Sequence, residues 1–359
     1  RPHNMLASST HDAKRSEDVR ARVNVIAEMP AAWKLTLKRW SRLNRSKKRR
    51  VDEVEAPSRN DEYLLYQTLL GAWPLRLDEG TGFEANLEEF RERIDGFMIK
   101  ALREAKEHSS WANVNADYEA AMSGFVQGVL APGEKNLFLA DIVAMLPPIV
   151  HFGLLNSLAQ TLIKLTSPGV PDIYQGCDSW QFNLVDPDNR RPIDFDRRRR
   201  QLAEVREMVA GEPAQWREHL QALLDDLRDG RIKLYTTWQT LALRSRWPEV
   251  FRDGDYLPLS VVGEKAVHVC AYARSAGGRT LIAVVPRLPV RLLGNRAIAP
   301  VGAEVWGDTA LELPAENGFA ASPWFDALSG ASHAPGDKLA LADVLAWFPL
   351  ALLTTESAG

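Results

Sequence analysis

The chain has 359 residues, 45% of them hydrophobic, with 44 Lys and Arg against 47 Asp and Glu for a formal net charge of −3. A length of this order buries a substantial core and favours two domains, or one large barrel with an appendage, while the near-balanced charge gives no pull toward nucleic acid or an anionic membrane surface. The two cysteines, Cys177 and Cys270, lie far apart without CxxC spacing, which argues against a disulfide framework or a zinc site and suits a reducing cytoplasm.

The chain begins with Arg1 instead of Met, which points to a portion of a longer protein. No signal-peptide pattern opens it, and no apolar run approaches the roughly 20 residues of a membrane span. A short strand-like segment leads into His11 and Asp12. From Ser16, a plausible N-cap, Val19, Val23 and Ile26 recur at helical spacing, and a second amphipathic stretch reaches Trp40. RSKKRRVDEVEAPS (45–58) reads as a solvated loop, its basic run answered at once by acidic residues. RNDEYLLYQTLLGAW (59–73) restarts a helix capped by Asn60 or Asp61, and NLEEFRERIDGFMIKALREAKEH (86–108) continues in the same style. After Pro147 and Pro148, IVHFGLLNSLAQTLIKL (149–165) is apolar nearly all round, as a buried helix is.

GVPDIYQG (169–176) is too short and too bounded by Gly and Pro for a helix; it reads as a strand running into a functional loop rich in Asp, Asn and Arg. The basic run RRRR (197–200) is taken as solvated. Near RDGDYLPL (252–259) the helical pattern ends. AVHVCAYAR (266–274) and RTLIAVVPRL (279–288) alternate like strands around an AGG turn, and EVWGDTALELP (304–314) adds another.

Several residues could carry chemistry. His11 and Asp12 sit between a strand and a helix, where a β/α barrel delivers side chains to its C-terminal face, although an Asp in front of a helix is also an ordinary cap. His108 and His151 have no second ligand at metal spacing and read as structural. The eleven tryptophans suggest sugar stacking, yet most belong to cores. A neutral sugar offers hydroxyls that planar Arg and Asp groups can fix and a ring face that can stack on Trp or Tyr. Trp180, Asn183, Asp186, Asp188, Arg190 and Arg191 supply those types in one loop, and an internally salt-bridged loop is the competing reading.

Together, STHD (9–12) and GVPDIYQG resemble the seventh-strand and eighth-strand motifs of the α-amylase superfamily. STHDAKRSEDVRAR, RNDEYLLYQTLLGAWP, KALREAKEHSSW, NSLAQTLIKLTSPGVPDIYQG, NLVDPDNRRPIDF, DGDYLPL, WGDTALELP and the closing WFPLALL are similar, more narrowly, to the maltooligosyltrehalose synthase family, over its C-terminal half. The resemblance implies an α/β fold: the C-terminal part of a (β/α)8 TIM barrel, strands 7 and 8, in residues 1–250 with a helical insertion over about 16–165, followed by an antiparallel β-sandwich domain in 251–359. It implies an intramolecular transglycosylase that turns the reducing-end α-1,4 linkage of a maltooligosaccharide into an α,α-1,1 linkage by retaining chemistry.

By that analogy Asp12 is the carboxylate that fixes sugar hydroxyls and stabilises the oxocarbenium-like transition state, and His11 binds the same sugar. Lys14 and Arg15 orient the reducing-end glucose, and Tyr174, Trp180, Arg190 and Arg191 complete the substrate contacts. The family usually carries Glu where this chain has Asp178. The nucleophile and the acid/base belong to strands 4 and 5, upstream of Arg1, so the missing N-terminal half is an expected partner and residues 1–359 alone are expected to be inactive. No metal or cofactor is expected. The alternatives are another α-amylase-type glucanotransferase or hydrolase, against which the helical insertion speaks, or a noncatalytic glycan-binding remnant.

Overall fold

Strand β1 (Met5–Ala7) finds its partner late in the chain: β4 (Val170–Asp172) lies parallel to it, with Met5 opposite Val170 and Ala7 opposite Asp172. The computed structural model describes residues 3–75, 82–212, 215–294, 296–315 and 318–356. Within it the chain forms two compact units, one of residues 11–153 and 182–191, the other of 1–10, 154–181 and 192–359.

The first unit is helical. Helix α1 (Glu17–Val25) has Ser16 at its N-cap position, and α2 (Pro30–Asn44) starts on a proline whose missing N–H belongs to the unsatisfied first turn in any case. The segment expected to be a solvated loop instead folds into a hairpin, β2 (Arg49–Val51) and β3 (Val54–Ala56), turning at Asp52 and Glu53, both with positive φ. The basic run just before it is not fully solvated either: Lys48 is buried with its ammonium 2.8 Å from the Glu62 carboxylate. Helix α3 (Arg59–Ala72) is capped by Ser58, whose hydroxyl accepts from the Asp61 amide, so neither Asn60 nor Asp61 is the cap. Helix α4 (Phe83–Ala105) buries Leu87, Phe90, Ile94, Phe97, Met98 and Leu102, the stripe that its spacing demands, and α5 (Ala116–Val129) starts at the Asn115 cap.

Helix α6 runs from Leu137 to Thr166 through Pro147 and Pro148 without ending, where the sequence suggested a start after them. Each proline removes a rung of the hydrogen-bond ladder, and the apolar residues buried on either side, Ile142 and Leu146 before and Ile149, Phe152 and Leu155 after, hold the helix together across the gap. With a mean hydropathy of 1.9 over its most apolar window, α6 is long and apolar enough to cross a membrane, contrary to the sequence expectation, and half of that window is buried in the protein.

An aromatic cluster centres this unit. Trp40 meets Trp33, Tyr66 and Phe138 edge-on at 5.2–5.7 Å, and its indole N–H donates to Asp141. In the same unit, the guanidinium of fully buried Arg22 donates to the carbonyls of Gly71 and Trp73 at the end of α3 and lies 3.4 Å from the centre of the Phe182 ring.

The second unit carries the parallel pair β1–β4, the end of α6, and helices α7 (Phe195–Met208), α8 (Trp216–Asp225), α9 (Arg231–Arg246) and α10 (Pro248–Asp253). Its strands then run β5 (Asp255–Pro258), β6 (Val261–Val262), β7 (Val269–Ala276), β8 (Arg279–Pro286), β9 (Ala310–Glu312), β10 (Trp324–Asp326), β11 (Ser332–His333), β12 (Lys338–Ala340) and β13 (Ala351–Thr354). They form an antiparallel six-stranded sheet in the order β11-β10-β13-β8-β7-β5 and an antiparallel three-stranded sheet in the order β12-β9-β6. The expected AGG turn joins β7 to β8 through Gly277 and Gly278, both at positive φ as a tight two-residue hairpin requires. Residues 304–314 are only partly strand, because Ala303–Trp306 coils into a helical turn before β9. The helical pattern gives way to strands at 253–255, next to the boundary read from sequence, yet residues 192–359 pack as one unit across that point.

Two arginines, Arg244 half-buried and Arg274 buried, finish α6 ahead of β4. Arg244 donates to the carbonyls of Leu165 and Gly169, and Arg274, with no exposed surface, donates to those of Thr166, Phe251 and Gly254. They satisfy carbonyls that a helix end leaves without partners.

Gly153 tests the packing of the helical unit. A Cβ there would stand 2.4 Å from Arg22 Cγ and 2.9 Å from its Cα. Gly153→Ala should therefore destabilise the protein by about 2 kcal/mol in urea unfolding, overpacking outweighing the gain in helix propensity of about 1 kcal/mol. A rise in the unfolding midpoint would contradict the close approach.

Candidate functional site

Asp12 and His11 follow β1 in the chain and head the segment that becomes α1. Both side chains are exposed, 78% for Asp12 and 55% for His11, with His11 Nε2 3.4 Å from Asp12 Oδ2. Their backbone is fastened while their side chains stay open. The His11 carbonyl accepts from the Asn189 side-chain amide at 2.8 Å and from the Asp186 N–H at 3.4 Å, the Ser16 N–H donates to the Asn183 carbonyl, and Arg15 forms an isolated antiparallel bridge with Leu184. Segments 11–16 and 183–189 are thus stitched together.

The stitching loop has Asp188 as its hub. Arg93 on α4 grips the Asp188 carboxylate with two hydrogen bonds of 2.8 and 3.0 Å and also donates to the Phe182 carbonyl, while the Leu184 N–H adds a third bond to Asp188 and Arg191 Nε lies 3.2 Å away. Burial alone would raise the Asp188 pKa, but the hydrogen bonds and charge of Arg93, the Leu184 amide and Arg191 outweigh it and hold the carboxyl below the ordinary range. Lys100 donates to the Asp186 carbonyl at 2.6 Å. The Asp186–Pro187 peptide is cis.

The predicted arginines point two ways. Arg190 is exposed and pairs with Asp186 at 3.1 Å; Arg191 is less open and reaches Asn183, Asp188 and Glu89, its own pKa lowered by burial. Internal salt bridging and exposure of charged faces therefore coexist in one loop. Lys14 is exposed and pairs with Glu104 at 2.7 Å. Arg15 turns inward, donating to Thr68 and lying 5.9 Å from the Phe97 ring centre, with its pKa lowered by burial.

Tyr174 and Trp180 belong to the other compact unit. Tyr174 is half-buried, and its carbonyl accepts from the Cys177 N–H. Trp180 corrects the sequence reading: only 8% exposed, it donates its indole N–H to the Leu227 carbonyl at 2.6 Å and has the Lys233 ammonium 5.6 Å from its ring, so it packs where a sugar platform would need an open face. Asp178, which stands where the resembling family has Glu, pairs with the buried side of Arg198 at 3.1 Å, so one member of the basic run 197–200 is likewise not solvated. His108 stacks on Tyr118 at 4.3 Å. Among the described residues no three His, Cys, Asp or Glu side chains gather as a metal site.

Helix α4 was expected from the sequence, but its polar face was not read as part of the site. Glu89, Arg93, Lys100 and Glu104 recur at spacings of four, seven and four, which places them on one helical face, and that face meets Arg191, Asp188, the Asp186 carbonyl and Lys14. The periodicity was there to be found among polar residues as well as apolar ones. The resulting arrangement can accept hydrogen bonds from hydroxyls at Asp12 and His11, donate from Arg190 and Lys14, and place negative charge beside a developing cation.

No protein-family model matches the chain. Over 360 aligned residues, 99% of this chain, it is 32% identical to proteins named as maltooligosyl trehalose synthases in two strains of Mycobacterium tuberculosis. The chain resembles maltooligosyltrehalose synthases from end to end. It spans 38% of the length of those curated relatives. Among solved structures, the maltooligosyltrehalose synthase of Arthrobacter ramosus matches 99% of this chain and 39% of its own at 28% identity and a TM-score of 0.74, and the DSM5389 glycosyltrehalose synthase matches 99% and 38% at 29% identity and a TM-score of 0.65.

The Asp188 network makes a prediction about this synthase-like chain. Arg93→Ala should cost about 3 kcal/mol in urea unfolding, because it strands a buried carboxylate, and should speed amide exchange across residues 183–190; adding Asp188→Asn should recover much of the loss. A carboxyl held below its ordinary pKa contributes stability that is full above the unfolded value of about 3.9 and is lost as pH falls through the folded value. In the parent chain the acid-induced loss should therefore begin below that range, and Asp188→Asn should flatten it.

Proposed function

We propose that this chain is the C-terminal part of a maltooligosyltrehalose synthase, carrying strands 7 and 8 of its catalytic barrel, the helical insertion and a β-sandwich domain. The observation that carries the reading is the parallel pairing of β1 with β4: two neighbouring strands whose C-terminal ends run into STHD and into DIYQG, the position from which barrel strands present catalytic residues. The similarity to synthases over nearly the whole chain supports it. So does the exposure of Met5 and Val170, 65% and 49%, register partners on a pair with no further strand at either edge among the described residues; a further set of barrel strands would cover them.

The reaction is an intramolecular transfer. A carboxylate forms a covalent glycosyl-enzyme at the reducing-end linkage, a second carboxyl protonates the leaving glucose, and that glucose reattacks through its anomeric hydroxyl to give an α,α-1,1 linkage before water intervenes. In this chain Asp12 stabilises the oxocarbenium-like transition state and, with His11, fixes hydroxyls of the same sugar. Lys14 and Arg190 stand at the rim, while Arg15 and Arg191 hold the segments that carry them. The nucleophile and acid/base, which must stand about 5 Å apart in a retaining enzyme, come from strands outside these residues.

Two outcomes test this. Joined to the upstream half of a synthase, the chain should consume the reducing ends of maltopentaose without releasing equivalent glucose, and Asp12→Asn should slow turnover about a thousandfold, roughly 4 kcal/mol of transition-state stabilisation. Near-parental turnover in that variant would leave Asp12 as a helix-entry residue only. Residues 1–359 incubated alone with maltopentaose should give no product, and activity from them would mean that a carboxylate pair within the chain does the chemistry.

A further inference from the structure

Far along the chain from Asp12, the second unit has a groove of about 790 Å³, within the range of about 300–1,000 Å³ usual for ligand sites. Its lining includes Arg217, Ser332, His333, Lys338, Asp343 and Trp347. Trp347 is 41% exposed, and the Arg217 guanidinium lies 4.4 Å from its ring centre. We propose that this groove is a second carbohydrate-binding site, which holds a segment of an α-1,4-glucan with one sugar ring stacked on Trp347 and its hydroxyls bonded to the polar wall.

The chemistry of the lining selects a neutral polyhydroxyl ligand. Its charges largely answer one another: Lys338 pairs with Glu312 at 3.3 Å, Asp343 opposes Arg217 in sign, and Arg217 is engaged with the indole. Burial pushes the His333 imidazole below its ordinary pKa, against the pull of Asp326 and Asp343, so it is neutral at pH 7 and offers a donor or an acceptor instead of a charge. Its Nε2 is buried with no hydrogen-bond partner among the described residues. An anion would meet Asp343, and an apolar peptide would strip water from Ser332, Lys338 and Asp343 without replacing their hydrogen bonds. A sugar satisfies both the aromatic face and the polar groups.

The groove is also built to keep its shape. Next to Trp347, Phe348 is buried edge-on against Tyr235 at 5.7 Å, and the Tyr235 hydroxyl donates to the Leu328 carbonyl. Elsewhere, the buried Asp326 carboxylate accepts from Ser329 and from the Leu328 and Leu352 amides, fixing the turn that leads to Ser332 in the lining. A platform and wall held from behind give up little conformational entropy on binding.

The choice of an α-glucan rests on the proposed function, whereas the groove itself does not. Maltoheptaose titrated into the 359-residue chain, followed by tryptophan fluorescence and calorimetry, should bind saturably. Trp347→Ala should weaken that binding about tenfold or more, and Trp347→Phe less, since it keeps a smaller stacking face. Circular dichroism checks that each variant is folded, and Trp347→Phe carries the test if the alanine variant is not. Unchanged affinity in Trp347→Ala, displacement of maltoheptaose by inorganic phosphate, or loss of binding in Asp12→Asn alone would overturn the proposal. The last result would leave the proposed function standing, whereas groove binding beside an inactive recombined enzyme would sink the function and leave the groove.

Discussion

Arg22 has no exposed surface, so its guanidinium must find inside the protein what water would otherwise supply. Its Nη1 does so at the end of α3, donating to the carbonyls of Gly71 and Trp73 that the helix leaves open, and the guanidinium lies 3.4 Å from the centre of the Phe182 ring. Its stem runs along Gly153, the residue of α6 that has no side chain to obstruct it. One side chain on α1 thereby ties together α3, α6 and the first residue of the loop that stitches His11 in place. The segment bearing Asp12 enters α1 only a few residues before Arg22, so both strips of the candidate site share a single anchor.

That anchor explains a division of labour among the charged groups. The polar face of α4 and the 182–191 loop neutralise each other pairwise, which makes the loop a preformed surface whose shape does not wait for a sugar. What remains uncommitted stands at the edge: the Asp12 carboxylate, the His11 ring, and the outer faces of Lys14 and Arg190. An exposed carboxylate needs such a fixed backbone if it is to meet one atom of a substrate repeatedly, because its own side chain is held by little else.

The sequence was most readable where a local rule decides the structure. The Gly277–Gly278 hairpin, the apolar stripe of α4 and the strand at 170–172 all follow from spacing or turn chemistry within a few residues. It was least readable where a distant partner decides. Pro147 and Pro148 stop a helix by any local rule, yet burial on both sides carries α6 through them. Asp52 belongs to a residue type that visits positive φ more readily than most, but Glu53 does not, so the two-residue turn they make was not announced by its sequence. The candidate site divides in the same way. His11, Asp12, Lys14 and Arg190 stood out in short motifs, and Arg93 did not, because its role depends on Asp188, which only the fold brings to it. Trp180 had the right side chain for sugar stacking, but the Leu227 carbonyl that claims its N–H was invisible in the sequence.

The β1–β4 pair has a consequence for how the chain reaches its fold. β1 is synthesised before every other described element, and β4 emerges only after the whole of α1 to α6, the longest delay among the strand pairings of the described residues. Contacts of such separation form late, since loop-closure entropy is spent before they contribute. Three residues are too few to template a sheet with another molecule in the meantime, and the helices between the strands satisfy their own hydrogen bonds locally. The brevity of β1 thus acts as a safeguard during synthesis: until β4 emerges, it offers little edge on which a wrong neighbour could pair.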